Sequence, residues 1–180
     1  MEIFILAGGL STRMGRDKAR LRLGGRTLLA HVRSQAGQLG WPVRVVRRDV
    51  VPRCGPLGGV VTALRRTRAA TVLFLSCDMP FVPATLMARV LAKLGPKAKA
   101  TFVHEDGLAG FPFALRRECL TLVEAQVSGK QFSLQRLAAV LDARRVRVTR
   151  QEVTALFNVN TPEEWAEARR RWSALQRRSP

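Results

Sequence analysis

Short apolar runs alternate with segments of helical period along the whole of this 180-residue chain. The run at 3–6, Ile-Phe-Ile-Leu, predicts a buried first strand. Leu28, Val32, Ala36 and Leu39 then recur at helical spacing, and 43–46 reads as a second strand. Leu57, Val60, Val61 and Leu64 predict a helix opening at Gly55-Pro56, where proline suits a first turn. The run 72–76 predicts a third strand, apolar enough for burial on both faces. Leu86, Val90 and Leu94 mark the next helix, followed by a strand at 101–103, a loop over 105–110 and a strand through 111–115. Leu120, Val123 and Val127 predict another helix, and Leu134, Leu137, Ala138 and Leu141 a further one; Val146 and Val148 suggest a late strand. Trp165, Ala168, Trp172 and Leu175 line one face of a C-terminal helix, with Thr161 as N-cap, Pro162 as first residue and Glu164 as reciprocal capping partner. The tail 176–180 is expected to fray.

This alternation predicts a three-layer α/β domain around a mostly parallel central sheet. The length is that of one domain spanning 1–180, and no internal repeat or linker divides it. In such sheets ligands gather at the carboxyl ends of the strands. The candidate chemistry falls there. The first strand runs into Leu6-Ala7-Gly8-Gly9-Leu10-Ser11-Thr12-Arg13-Met14-Gly15-Arg16-Asp17-Lys18. Gly8 and Gly9 let the backbone turn sharply and bring its N–H groups close to an anion, while Arg13 and Lys18 supply charge beside a polyphosphate. The third strand ends in Cys77-Asp78-Met79-Pro80. Asp78 can coordinate Mg²⁺ between phosphates or, more plainly, cap a helix. Asp49 can accept hydrogen bonds from a ribose or base, or simply belong to a turn. Gly58 and Gly59 open a helix, where glycine costs stability, so a ligand or another helix is expected to approach closely. Asn158 and Asn160 alternate along an extended segment, which turns both amides to one side just before a helix N-terminus.

Other chemistries find no support. His31 and His104 lack partners at ligand spacing and read as structural or surface residues. The spacings of a P-loop and of a dinucleotide-binding fingerprint are both missing, and no nucleophile–histidine constellation is present. The formal charge of +18 fits attraction of anionic substrates or a plain preference for arginine; only five of the 31 basic residues are lysines, and Lys18 is one. No nucleic-acid motif or aromatic stacking platform accompanies the charge, so nucleic acid is not expected as a partner. No apolar stretch is long enough for a membrane span, and the start, Met1-Glu2, is unlike a secretory leader. Three cysteines without metal spacing suit a reducing cytoplasm.

Taken together, the motifs resemble those of the molybdenum cofactor guanylyltransferases. That family carries Leu-Ala-Gly-Gly-x-Ser-x-Arg-Met-Gly-x-Asp-Lys, as at 6–18, and Gly-Pro-Leu-x-Gly, as at 55–59. It also carries Cys-Asp-x-Pro, as at 77–80, and Asn-x-Asn-Thr-Pro-Glu-Glu, as at 158–164. All four stand in family order. The resemblance implies a Rossmann-like nucleotidyltransferase fold and a Mg²⁺-dependent transfer of GMP from GTP to molybdenum-molybdopterin, with pyrophosphate released. The N-terminal part would bind nucleotide and the C-terminal part molybdopterin. By the same resemblance, Leu6, Ala7, Gly8, Gly9, Lys18, Asp49 and Asp78 would hold GTP, and Asp78 the metal. Arg13, Lys18 and Asp78 would serve catalysis, while Asn158 and Asn160 would lie on the molybdopterin side. Proteins that supply molybdopterin and mature molybdoenzymes are the implied macromolecular partners. Gly8 favours guanine over cytosine, since related cytidylyltransferases carry alanine there. Two departures stand out. Arg47-Arg48 replaces a nucleotide-contacting asparagine, and Phe111-Pro112 stands where the family often has His-Pro. The alternatives are a molybdopterin cytidylyltransferase, a sugar-phosphate nucleotidyltransferase on the same fold and, from another class, a non-catalytic basic binding protein.

Overall fold

The computed structural model describes residues 1–8 and 21–178. In chain order the elements are β1 (Glu2–Leu6), the short pair β2 (Arg22–Leu23) and β3 (Arg26–Thr27), α1 (Leu28–Gly37), β4 (Val43–Val46) and α2 (Pro56–Arg66). β5 (Thr71–Ser76), α3 (Ala84–Leu94), β6 (Ala100–Glu105) and β7 (Leu108–Arg116) follow. The chain continues through α4 (Leu120–Ser128), α5 (Leu134–Val140), β8 (Arg144–Arg147), α6 (Arg150–Ala155) and α7 (Pro162–Arg178). Six strands form one sheet in the order β4-β1-β5-β7-β6-β8. β4, β1 and β5 are mutually parallel, as are β6 and β8; β7 alone runs against its neighbours.

Strand alternation divides the core in two. On one face Phe4, Phe74, Phe113 and Phe102 stand in register across β1, β5, β7 and β6. Their rings follow one another at 6.5, 4.9 and 4.5 Å. They pack on Leu57, Val60, Val61 and Leu64 of α2 and on Val123 and Leu137 of α4 and α5. On the other face Ile3, Ile5, Leu73 and Leu75 meet Val32 of α1 and Leu86 and Val90 of α3. This is the predicted three-layer Rossmann-like arrangement, and the period-2 pattern of each strand produces it. The sheet margins are two four-residue strands, Val-Arg-Val-Val of β4 and Arg-Arg-Val-Arg of β8.

Several elements differ from the sequence expectation. The loop predicted at 105–110 is a tight hairpin turn instead. Asp106 (φ 49°) and Gly107 (φ 81°) take the left-handed conformation, and Asp-Gly is the dipeptide that favours such turns between strands. β8 begins at Arg144, earlier than its valines suggested. α1 ends at Gly37, short of Leu39, whereas α7 continues through Arg178 rather than fraying from 176. β2, β3 and α6 had no apolar signal. α6 is set instead by a capping box, Thr149 with Glu152.

Two features shape the carboxyl edge of the sheet. β1–β5 pairing continues to Leu6 opposite Ser76, whereas β5–β7 pairing ends at Phe74 opposite Phe113. The sheet therefore opens between β5 and β7 at that edge. On the far side of β7 the register shifts. Phe102 pairs with Phe113 but Val103 with Gly110, leaving Phe111 and Pro112 as a two-residue bulge. Proline lacks an N–H to give a ladder, so a bulge is where β7 can hold one.

The carboxyl edge of the sheet as a candidate active site

Three chain segments stay side by side beyond their strands. Ala7 N–H donates to Val46 O at 2.8 Å, and Cys77 N–H donates to Leu6 O at 3.1 Å. These bonds carry Leu6-Ala7-Gly8, Arg47-Arg48-Asp49 and Cys77-Asp78 to one edge, with β1 between the other two strands. Gly9, Arg13 and Lys18 lie outside the described residues.

Asp49 sits in a cradle of glycines. A Cβ on Gly8 would come within 3.0 Å of Arg47 O and 3.3 Å of Asp49 Oδ1. One on Gly59 would lie 3.4 Å from the same Oδ1 and 3.0 Å from Leu6 Cδ2. On Gly58 it would lie 2.5 Å from Val51 O and 3.0 Å from Asp49 Oδ2. The helix-opening glycines thus exist because the protein's own residues, Asp49, Val51 and Leu6, press on α2. This corrects the expectation that a ligand or a second helix requires them. Thr62 fixes the approach. Its hydroxyl donates to Gly58 O at 2.7 Å and accepts from Val50 N–H at 2.8 Å. Asp49 Oδ1 is buried with no hydrogen-bond partner, and burial pushes the carboxyl above its ordinary pKa.

Asp78 lies at the end of β5, half-buried. The Ser76 hydroxyl donates to its Oδ1 at 2.5 Å, and its carbonyl accepts the Val159 N–H at 2.9 Å. That second bond ties the 158–160 segment into the opening between β5 and β7. Val159 is buried against Leu23, Leu28 and Ala168, while Asn158 is exposed and Asn160 half-exposed, as the alternation predicted. The expected cap is present. Glu164 Oε2 accepts from the N–H groups of Asn160 and Thr161 at 2.6 and 2.9 Å, and Thr161 Oγ1 accepts from Glu164 N–H at 3.2 Å. Among the described residues no group of three or more His, Cys, Asp or Glu side chains could enclose a metal. Asp78 alone nevertheless fits Mg²⁺, which takes one or two carboxylates and completes its shell with phosphate oxygens and water.

The histidines stay apart from this chemistry. His31 Nε2 donates to Leu23 O at 2.7 Å, and its ring meets that of Trp172 edge-on at 4.5 Å, so it joins α1 and α7 to the β2–β3 hairpin. Both ring nitrogens of His104 are buried, and burial lowers its basicity, aided by the charge of Arg145 and opposed by the Gly107 backbone.

A cavity of about 370 Å³ adjoins Asp78 on the β7 side. Met79, Asn158, Leu156, Phe111, Glu105 and Asp106 are among its lining residues. Of these, sequence reasoning placed Asn158 at the site and marked Phe111 as a departure from the family's His-Pro. Glu105 and Asp106 read as loop residues, though the Asp106-Gly107 turn signal could have placed them at the carboxyl end of β6.

Residues 3–151 match the MobA-like NTP transferase domain. A molybdenum cofactor guanylyltransferase of Xanthomonas euvesicatoria pv. vesicatoria is 36% identical over 177 residues, covering 90% of each chain. Among solved structures, molybdopterin-guanine dinucleotide biosynthesis protein A from Archaeoglobus fulgidus superposes with a TM-score of 0.76 at 20% identity, over 97% of this chain and 100% of its own. CMP:2-keto-3-deoxy-manno-octonic acid synthetase, solved with CTP, superposes with a TM-score of 0.72 at 13% identity, over 96% and 98%. The fold is thus that of nucleotidyltransferases. Within that class, the chain belongs to the MobA-like NTP transferase family.

Proposed function

We propose that this protein transfers GMP from GTP to molybdenum-molybdopterin, forming molybdopterin guanine dinucleotide and pyrophosphate. The observation that carries the reading is the carboxylate of Asp49, packed among Gly8, Gly58 and Gly59 at the end of β1, with its Oδ1 lacking a hydrogen-bond partner. Guanine presents two adjacent donors, N1–H and the exocyclic amine, which match a carboxylate. Cytosine offers one donor beside an acceptor, and that acceptor would face Asp49 unfavourably. The guanylyltransferase named above, at 36% identity, supports the same choice.

The reaction is an in-line displacement. A terminal phosphate oxygen of molybdopterin attacks the α-phosphorus of GTP, the bond to the bridging oxygen breaks, and pyrophosphate carries away the electron pair. No covalent nucleophile is needed, because positioning and charge neutralisation supply the acceleration. Leu6, Ala7, Gly8 and Gly9 would cradle the nucleotide with backbone groups, and Asp49 would fix the base. Arg13 and Lys18 would neutralise the departing pyrophosphate. Asp78, oriented by Ser76, would hold Mg²⁺, which in such sites offsets phosphate charge. Asn158 and Asn160 would face molybdopterin, so the nucleotide would belong to the N-terminal part of the one domain and the acceptor to its C-terminal part.

The test is incubation with molybdopterin, Mg²⁺ and each nucleoside triphosphate, followed by identification of the dinucleotide. The guanine product alone is expected; a cytosine product would overturn the assignment of Asp49. In the same assay Asp78→Ala should fold normally yet release pyrophosphate about 10²–10³ more slowly.

A further inference from the structure

We propose that Thr62 is a positioning residue for base selection: its buried hydroxyl fastens the Asp49 segment to α2 and so sets where the carboxylate meets the 2-amino edge of guanine. This role rests on the guanylyltransferase reading, in which Asp49 receives the base, and it names the group that places Asp49.

Residues 47–55, between β4 and α2, form neither strand nor helix. Asp49 Oδ1 has no hydrogen-bond partner, so its place is set by the backbone that carries it and by the walls around it. That backbone has two fixed points. Val46 O accepts from Ala7 N–H at 2.8 Å, and Val50 N–H donates to Thr62 Oγ1 at 2.8 Å. Only Arg47, Arg48 and Asp49 stand between them, and both arginines are exposed. Asp49 therefore hangs in a bridge of three residues, with one end tied to β1 and the other to Thr62.

Thr62 is built for that tie. It is 0% exposed, and among the buried residues of α2, Leu57 through Leu64, it is the one with a polar side chain. A buried hydroxyl needs partners, and this one uses both of its roles. It accepts from Val50 N–H and donates to Gly58 O at 2.7 Å. Gly58 is the helix residue whose Cβ, if present, would lie 3.0 Å from Asp49 Oδ2. One hydroxyl thus holds the residue that follows Asp49 and the helix turn that faces its carboxylate. Valine would fill nearly the same volume, so the site uses the hydroxyl and not the bulk. Without it the part-buried Val50 N–H must find water, and the bridge keeps one fixed end.

The test compares binding of GTP and of inosine triphosphate, which lacks only the 2-amino group, by calorimetry on the whole protein. The wild type should prefer GTP about tenfold or more, the worth of one hydrogen bond to a charged acceptor. Thr62→Val should reduce that preference below about threefold, and Thr62→Ser, which restores the hydroxyl, should bring it back. If the valine variant does not fold, Thr62→Ala decides by the same ratio. A lowered urea midpoint with the preference kept marks a merely structural role and overturns the proposal, as does a serine variant no more selective than the valine one. Equal binding of both nucleotides by the wild type strikes the Asp49 contact and the role of Thr62 together. Failure of the wild type to bind GTP strikes the functional reading itself.

Discussion

Replacing Gly58 by alanine sets two physical effects against each other. Helix propensity alone predicts a gain of up to about 1 kcal/mol, because glycine in a helix loses more backbone entropy than alanine. Packing predicts the reverse. The new Cβ would lie 2.5 Å from the Val51 carbonyl oxygen, 3.0 Å from Asp49 Oδ2 and 3.2 Å from Asp49 Cβ. The carbonyl belongs to a backbone segment held to α2 itself through Val50 and Thr62, and Asp49 is hemmed in by Gly8 and Gly59, so neither neighbour retreats freely. Overpacking of this kind costs about 1–3 kcal/mol, which cancels or exceeds the propensity gain and leaves a net loss of about 1 kcal/mol. The larger consequence falls on the ligand. If Asp49 holds the base as proposed, its displacement would forfeit a charged hydrogen bond worth about 1.5–3 kcal/mol, or roughly 10- to 150-fold in GTP affinity. Urea denaturation measures the first effect and calorimetric titration with GTP the second. Gly37→Ala, at the exposed end of α1 where a Cβ meets nothing within 4 Å, serves as the control and should stabilise without touching GTP. If Gly58→Ala gains stability like that control and binds GTP unchanged, the cradle has no role.

Asp49→Asn should leave the ligand-free protein at least as stable as wild type at pH 7 while abolishing selective GTP binding. A carboxyl whose pKa is raised on folding favours the folded state when protonated, and this contribution is lost as pH rises through the folded value. The stability difference between variant and wild type should therefore shrink as pH falls towards the carboxylate range; pH-dependent urea midpoints measure it, and a variant less stable than wild type at pH 7 contradicts the reasoning. Ser76→Ala removes the 2.5 Å bond that orients Asp78 and should raise the Mg²⁺ concentration for half-maximal turnover about tenfold. Gly24→Ala should lower the denaturation midpoint, since its φ is +56° and its Cβ would fall 2.0 Å from Trp172 Nε1. Finally, kcat/KM should fall as ionic strength rises, because a chain of formal charge +18 draws in polyanionic substrates; a flat salt profile would argue against steering.

The main strands and their core faces were legible because burial and period agree, whereas the order of strands in the sheet was not read from the sequence. β5 is apolar almost throughout and is central in the sheet, and the four phenylalanines that meet across strands are each flanked by residues of the opposite face. The strand-end part of the candidate site was legible as motif, since its glycines and carboxylates stand at fixed offsets from apolar runs. The cavity beside Asp78 was not, since it depends on where β5–β7 pairing stops and on a bulge at Phe111-Pro112, both properties of register between distant segments. The reason for Gly58 and Gly59 was hidden likewise, because the atoms that press on them come from Leu6, Asp49 and Val51. β2 and β3 escaped notice because strands of two residues leave no periodic trace.

The two outermost strands give the arginine-rich composition a second meaning. An open sheet ends in unsatisfied backbone groups that invite another molecule to add a strand, and short, charged margins discourage it. Here Arg44 stands exposed on one rim, and Arg144, Arg145 and Arg147 stand exposed on the other. Arg44 is paired with Glu2, so the unpaired positive charge that would repel a second copy edge to edge is concentrated on the β8 rim.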